Sequence, residues 1–156
     1  MSPRQKLQLI KLSIGGLIAI LVIVNFVIYF ILNSYVDDFN RISEIKQIQA
    51  GLAEYNSDLN YYPPVKEPRL LSDLYSNSQK LCEEGFKRLS DICQYEYLPK
   101  VPDNLFAKGN YYYYQDTNES SAYKIEFTLK HNFKYLNLVK GKNCASPGQI
   151  IGGSCF

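Results

Sequence analysis

The chain has 156 residues, 46% of them hydrophobic, and a formal charge of +2, which suits one domain plus one further element. Three of its 17 basic residues precede a long apolar run, leaving 14 against all 15 acidic residues beyond it. A near-neutral remainder excludes an electrostatic case for nucleic-acid binding, and a single histidine leaves little for acid–base chemistry.

Residues 1–11 carry Arg4, Lys6 and Lys11 and no acid, and are expected to be a cytoplasmic N-terminus. Residues 12–36, "LSIGGLIAILVIVNFVIYFILNSYV", contain no charged residue. About 20 apolar residues cross the hydrocarbon of a bilayer, so this run predicts a transmembrane helix. A cleavable signal peptide is the competing reading, but its apolar region is shorter and a small-x-small site follows it. Asp37 and Asp38 follow the run, so the excess of basic residues before it places the N-terminus inside and residues 37–156 outside.

No Pro separates the run from Phe39, Ile42, Ile45, Ile48, Leu52 and Tyr55, which recur at helical spacing. One helix is therefore predicted from about Leu12 to Leu59. Its second half needs a core for that stripe, with Asp38, Arg41, Glu44, Lys46 and Glu54 elsewhere on the helix. Pro63 and Pro64 must end it, and Asn56, Asp58 and Asn60 weaken it beforehand, so it finishes between Ser57 and Tyr61.

From Tyr61 to Asn110 the pattern is mostly irregular, with a short helix expected at "RLLSDLYSN" (Arg69 to Asn77) and a loop from Cys82 to Cys93. Three strands are then predicted: Tyr111 to Gln115, Ala122 to Lys130 and Phe133 to Val139. The middle one alternates cleanly, with Tyr123, Ile125, Phe127 and Leu129 on one face. His131-Asn132 reads as a solvated two-residue connection. The four consecutive tyrosines, Tyr111 to Tyr114, put two rings on each face of their strand, and open tyrosines suit interfaces. The expected fold is α+β, a long helix packed on a three- to four-stranded antiparallel sheet.

All four cysteines lie beyond the apolar run, at separations that form two local pairs, Cys82–Cys93 and Cys144–Cys155. In an oxidising compartment such pairs become disulfides; otherwise they are four free thiols. Cys82 and Cys93 do not have the two-to-four-residue spacing of structural zinc sites, and no catalytic constellation can be built around one turn histidine and paired cysteines.

The order of these elements resembles the type IV pilin superfamily: a membrane helix continuing into an amphipathic one, "YYPP", "LLSDLY", "YLPKVPDN", then the sheet and tail "AYKIEFTLKHNFKYLNLVKGKNCASPGQI". Within it the chain is most similar to the major pseudopilin of type II secretion. The resemblance implies a single-pass protein of the inner or cytoplasmic membrane with its C-terminal domain periplasmic or extracellular. It also implies a subunit or accessory of a type IV pilus or type II secretion filament, with related pilin subunits and the assembly machinery as partners and no enzyme activity. The alternative is a membrane-anchored extracytoplasmic binding module that never polymerises.

In the family a glycine marks the prepilin-peptidase cut. Here the matching glycine is Gly16, followed by "LIAIL", and Leu21 stands where the family has a glutamate. The resemblance further implies a calcium loop, for which Asp103, Asn104, Asp116, Asn118 and Glu119 are candidate oxygen ligands if two loops meet. Read without the resemblance, they are ordinary polar turn residues, and no other cofactor is expected.

Overall fold

A computed structural model describes residues 3–71, 77–102, 111–115 and 122–155. The chain divides into two compact units, Met1–Val36 and Asp37–Phe156. Helix α1 runs from Pro3 to Leu59. It begins upstream of Leu12 because proline at a first helical position has no N–H to leave unsatisfied, and Gln, Lys and Leu extend a helix readily.

In the first unit the large apolar side chains from Leu17 to Val36 are all open, between 39% and 63% exposed. The helix is long and apolar enough to cross a membrane. Asn25 is reconciled with an apolar setting by its own helix: its side-chain amide donates to the Leu21 carbonyl at 2.8 Å.

In the second unit eight strands follow α1: β1 (Val65–Leu70), β2 (Lys80–Cys82), β3 (Gly85–Lys87), β4 (Glu96–Leu98), β5 (Tyr112–Gln115), β6 (Lys124–Leu129), β7 (Gly141–Ser146) and β8 (Gln149–Gly152). They form a five-stranded sheet in the order β1-β5-β6-β7-β8 and a three-stranded sheet in the order β3-β2-β4. Every pairing is antiparallel. Ile42, Ile45, Ile48, Leu52 and Tyr55 of α1 share one core with Val65, Leu81, Tyr97, Tyr111, Tyr113, Tyr123, Ile125, Phe127 and Leu129. Burying those five helix side chains contributes roughly 10 kcal/mol of transfer free energy before the entropy of ordering them.

Asn60 ends α1 in a left-handed conformation (φ 62°), its N–H donating to the Asn56 carbonyl at 2.8 Å. Asparagine tolerates that cap, and Pro63 and Pro64 prevent continuation. At Gly51 the helix comes close to β4: a Cβ there would lie 3.2 Å from both Leu98 Cβ and the Tyr97 carbonyl oxygen.

Four expectations are corrected. The sheet has five strands with a second, three-stranded sheet beside it, rather than three or four strands. Arg69 and Leu70 belong to β1, not to a helix starting at Arg69, while residues 72–76 of that expected helix lie outside the described residues. Pro68 fits β1 because this is an edge strand, where a missing N–H costs no ladder bond. The stretch Phe133 to Val139 is not a strand. Phe133 bridges to Leu138 around a 3₁₀ turn, Lys134–Leu136, with Asn137 left-handed (φ 54°), and pairing resumes only at β7. Finally, Phe39 is 55% exposed, and its expected place on the buried face is taken by Asp38 and Arg41.

The strands missed in the tail lie in "GKNCASPGQIIGG", which lacks alternation. Its Pro147-Gly148 turn (Gly148 φ 75°) was the available signal for the β7–β8 hairpin. The tyrosine run falls as its alternation requires: Tyr111 and Tyr113 are buried, Tyr112 and Tyr114 half-buried.

Candidate functional site

The segment of α1 inside the second unit is held at its two ends by different chemistry. At the near end Asp38, Arg41 and Ile45 fall on one helical face, and Asp38 is wholly buried. Strand β6 stops at Leu129, leaving the next backbone N–H groups without strand partners. Asp38 takes them: its carboxylate accepts from Lys130 N at 3.0 Å and from His131 N at 2.9 Å. Its Oδ2 also lies 2.8 Å from His131 Nδ1. Arg41 Nη1 donates to the Thr128 carbonyl at 2.6 Å, while its buried Nε has no partner among the described residues. Glu44 accepts from the Tyr111 hydroxyl, and Lys130 Nζ pairs with Asp37 at 3.0 Å. A buried charge is costly unless every such bond is made, so this cluster fixes the position of the helix against the end of the sheet.

The far end is aromatic. Tyr55 is buried, with its ring centroid 5.1 Å from Tyr97 and 5.7 Å from Tyr61, and Tyr95 lies 4.8 Å from Tyr97. The Tyr55 hydroxyl donates to the Glu83 carbonyl at 3.2 Å, and the Tyr95 hydroxyl to Glu54 at 2.9 Å. Burial, reinforced by a hydrogen bond with Tyr61, pushes the Tyr55 phenol well above its ordinary value. Burial does the same to Tyr111, aided by the Glu44 carboxylate.

Cys82 bonds Cys93 and Cys144 bonds Cys155, with Cα–Cα distances of 5.8 and 5.1 Å. The second bridge is tied to β6 through Glu126, whose carboxylate accepts from Ser154 and pairs with Lys142 at 2.7 Å. Burial raises the Glu126 carboxyl, but Lys142 and Ser154 outweigh it and hold it below the ordinary range.

His131 corrects its reading as a solvated turn residue: it faces Asp38. Asp38 and Arg41 were missed as buried groups because charge suggests water. Their spacing was the available signal, since Asp38 lies four residues before Ile42 and seven before Ile45. Asp103, Asn104, Asp116, Asn118 and Glu119 lie outside the described residues. Among the described residues no cluster of His, Cys, Asp or Glu could hold a metal ion. Gly16 sits within α1, where a Cβ would meet nothing within 4 Å, and Leu21 is 53% exposed. A groove of about 220 Å³ lies among Ile42, Lys46, Leu136, Leu138, Gln149 and Ile150. It is smaller than the roughly 300–1,000 Å³ of small-molecule sites.

Comparison with protein-family models, with curated proteins and with solved structures finds no match to this chain.

Proposed function

We propose that the chain is a pilin-like membrane protein, anchored by residues 12–36 with its N-terminus cytoplasmic and residues 37–156 on the outer side. Its work is that of a subunit or accessory of a type IV pilus or type II secretion-type filament, and it is structural rather than catalytic. The observation that carries this reading is a single helix with two kinds of surface. From Leu17 to Val36 its apolar side chains are open, and from Ile42 to Tyr55 its apolar stripe is buried in the core it shares with the sheet. An open apolar surface of that length calls for lipid or for other helices like itself.

A second reading, an anchored module that does not polymerise, is favoured by Leu21. A carboxylate within a membrane must find a positive partner, which lets it register one subunit against another, and leucine offers no such pairing. Intact-mass measurement on the native protein, together with its presence or absence in sheared surface filaments, separates the two. A mass starting at Leu17 with an N-methyl group, in filaments, supports the filament subunit. An unprocessed chain retained in the membrane and absent from filaments supports the anchored module.

A further inference from the structure

We propose that the loop from Lys130 to Lys142 is a docking surface for anionic phospholipid headgroups, holding the outer unit down on the bilayer next to its anchor. The inference rests on the membrane-anchor reading and adds a second contact with the same membrane.

Three observations carry it. The first is position. The loop is tied to the first residues after the apolar run: Lys130 to Asp37, Lys130 N and His131 to Asp38, and the Phe133 ring to Phe39 at a centroid distance of 4.9 Å. Phe39 is three residues beyond Val36, and three residues of chain reach at most about 11 Å however they are arranged. The second is charge. Residues 130–142 hold Lys130, Lys134, Lys140 and Lys142, one histidine and no acid, within an outer region that is near neutral as a whole. Two of these lysines are paired with acids beside the loop, Lys130 with Asp37 and Lys142 with Glu126, while Asp38 is engaged by backbone amides and His131. Lys134 and Lys140 are exposed and make no ion pair among the described residues.

The third is shape. Phe133 and Leu138 exchange backbone hydrogen bonds at 2.9 and 3.2 Å, and Leu138 is buried as the loop's root. The Asn137 carbonyl is held by Gly152 N at 2.9 Å. The turn is thereby pinned, yet its tip puts Tyr135 wholly into solvent at 103% exposure, beside Leu136 and Val139 at 44% each. A rigid turn presenting a tyrosine and two aliphatic side chains among lysines suits the headgroup layer, where amphipathic rings settle and lysines meet lipid phosphates.

The chain contains no tryptophan, so Tyr135→Trp provides a unique fluorophore at the tip, and Ile92→Trp, at a position 96% exposed beside Cys93, provides the comparison. Each full-length variant is reconstituted in phosphatidylglycerol vesicles and in phosphatidylcholine vesicles, both doped with brominated lipid. The expected result is quenching and a blue shift at position 135 but not at 92, in phosphatidylglycerol and not in phosphatidylcholine. Lys134→Gln with Lys140→Gln should lower the docked-to-undocked ratio about 30-fold, since each lysine at an anionic surface is worth close to fivefold. Equal solvent access at 135 and 92 in carbonate-resistant vesicles overturns the docking surface alone. So does protection that ignores lipid charge, or that grows with the protein-to-lipid ratio, which would signify a second copy on the loop. Release of the chain by carbonate overturns the anchor reading and this inference with it.

Discussion

The two ends of the helix segment in the second unit do the same job with opposite materials. At the near end, Asp38, Arg41 and Glu44 meet Lys130, His131, Thr128 and Tyr111 through directed bonds, several of them buried. At the far end, Tyr55, Tyr61, Tyr95 and Tyr97 meet edge to face, and Cys82–Cys93 closes the neighbouring loop. Ring contacts fail gradually, because dispersion and apolar burial are spread over many atoms. Buried ionic contacts fail at once, because removing one partner strands the other in a poor solvent. The near end is therefore held by a few indispensable groups and the far end by many replaceable ones.

The largest expected effect comes from striking between the two. Ile48 is fully buried, so Ile48→Asp should cost more than about 4 kcal/mol and abolish the thermal transition of the second unit. A retained transition would mean that neither end depends on the stripe joining them.

Next, Asp38→Ala strands the amides of Lys130 and His131 and should cost about 3 kcal/mol in urea unfolding. Tyr95→Phe, which deletes one exposed hydrogen bond at the far end, should cost under about 1 kcal/mol. Equal losses from the two would erase the distinction.

Removing the Cys82–Cys93 bridge by a double serine substitution, where the cysteines are 11 apart in sequence, should cost about 3 kcal/mol. Hydrogen exchange should then rise around Tyr95 and Tyr97 while the amides of Lys130 and His131 stay protected. Uniform loss of protection would show the ends to be one cooperative unit.

The smallest effect is on alkaline stability, to which both ends contribute. The folded phenols of Tyr55 and Tyr111 lie above the ordinary value of 10.0, mainly through burial. The stability they supply is complete below that pH and is lost as pH rises above it, because the unfolded chain ionises first. Midpoints for thermal unfolding should therefore fall from about pH 10 upward, and phenolate absorbance should rise in step with unfolding. Full tyrosine ionisation in a folded protein would contradict the burial at both ends.

Much of this molecule was decided by local rules. The apolar run, the helical stripe from Ile42 to Tyr55, the helix end before Pro63 and the alternation of Tyr123 to Leu129 each depend on a residue's chemistry and its near neighbours, and periodicity records both. Tertiary structure alone decided the fate of groups whose partners are distant. Asp38 and Arg41 are charged, and only the end of β6, some ninety residues later, converts them from surface residues to buried ones. Phe133 to Val139 is apolar enough for a strand, yet Asn137 turns the chain and leaves the pairing to "GKNCAS", whose weak alternation is compensated by β6 on one side and β8 on the other. A side chain's identity sets what burial costs; only the assembled sheet supplies the bonds that make the cost bearable.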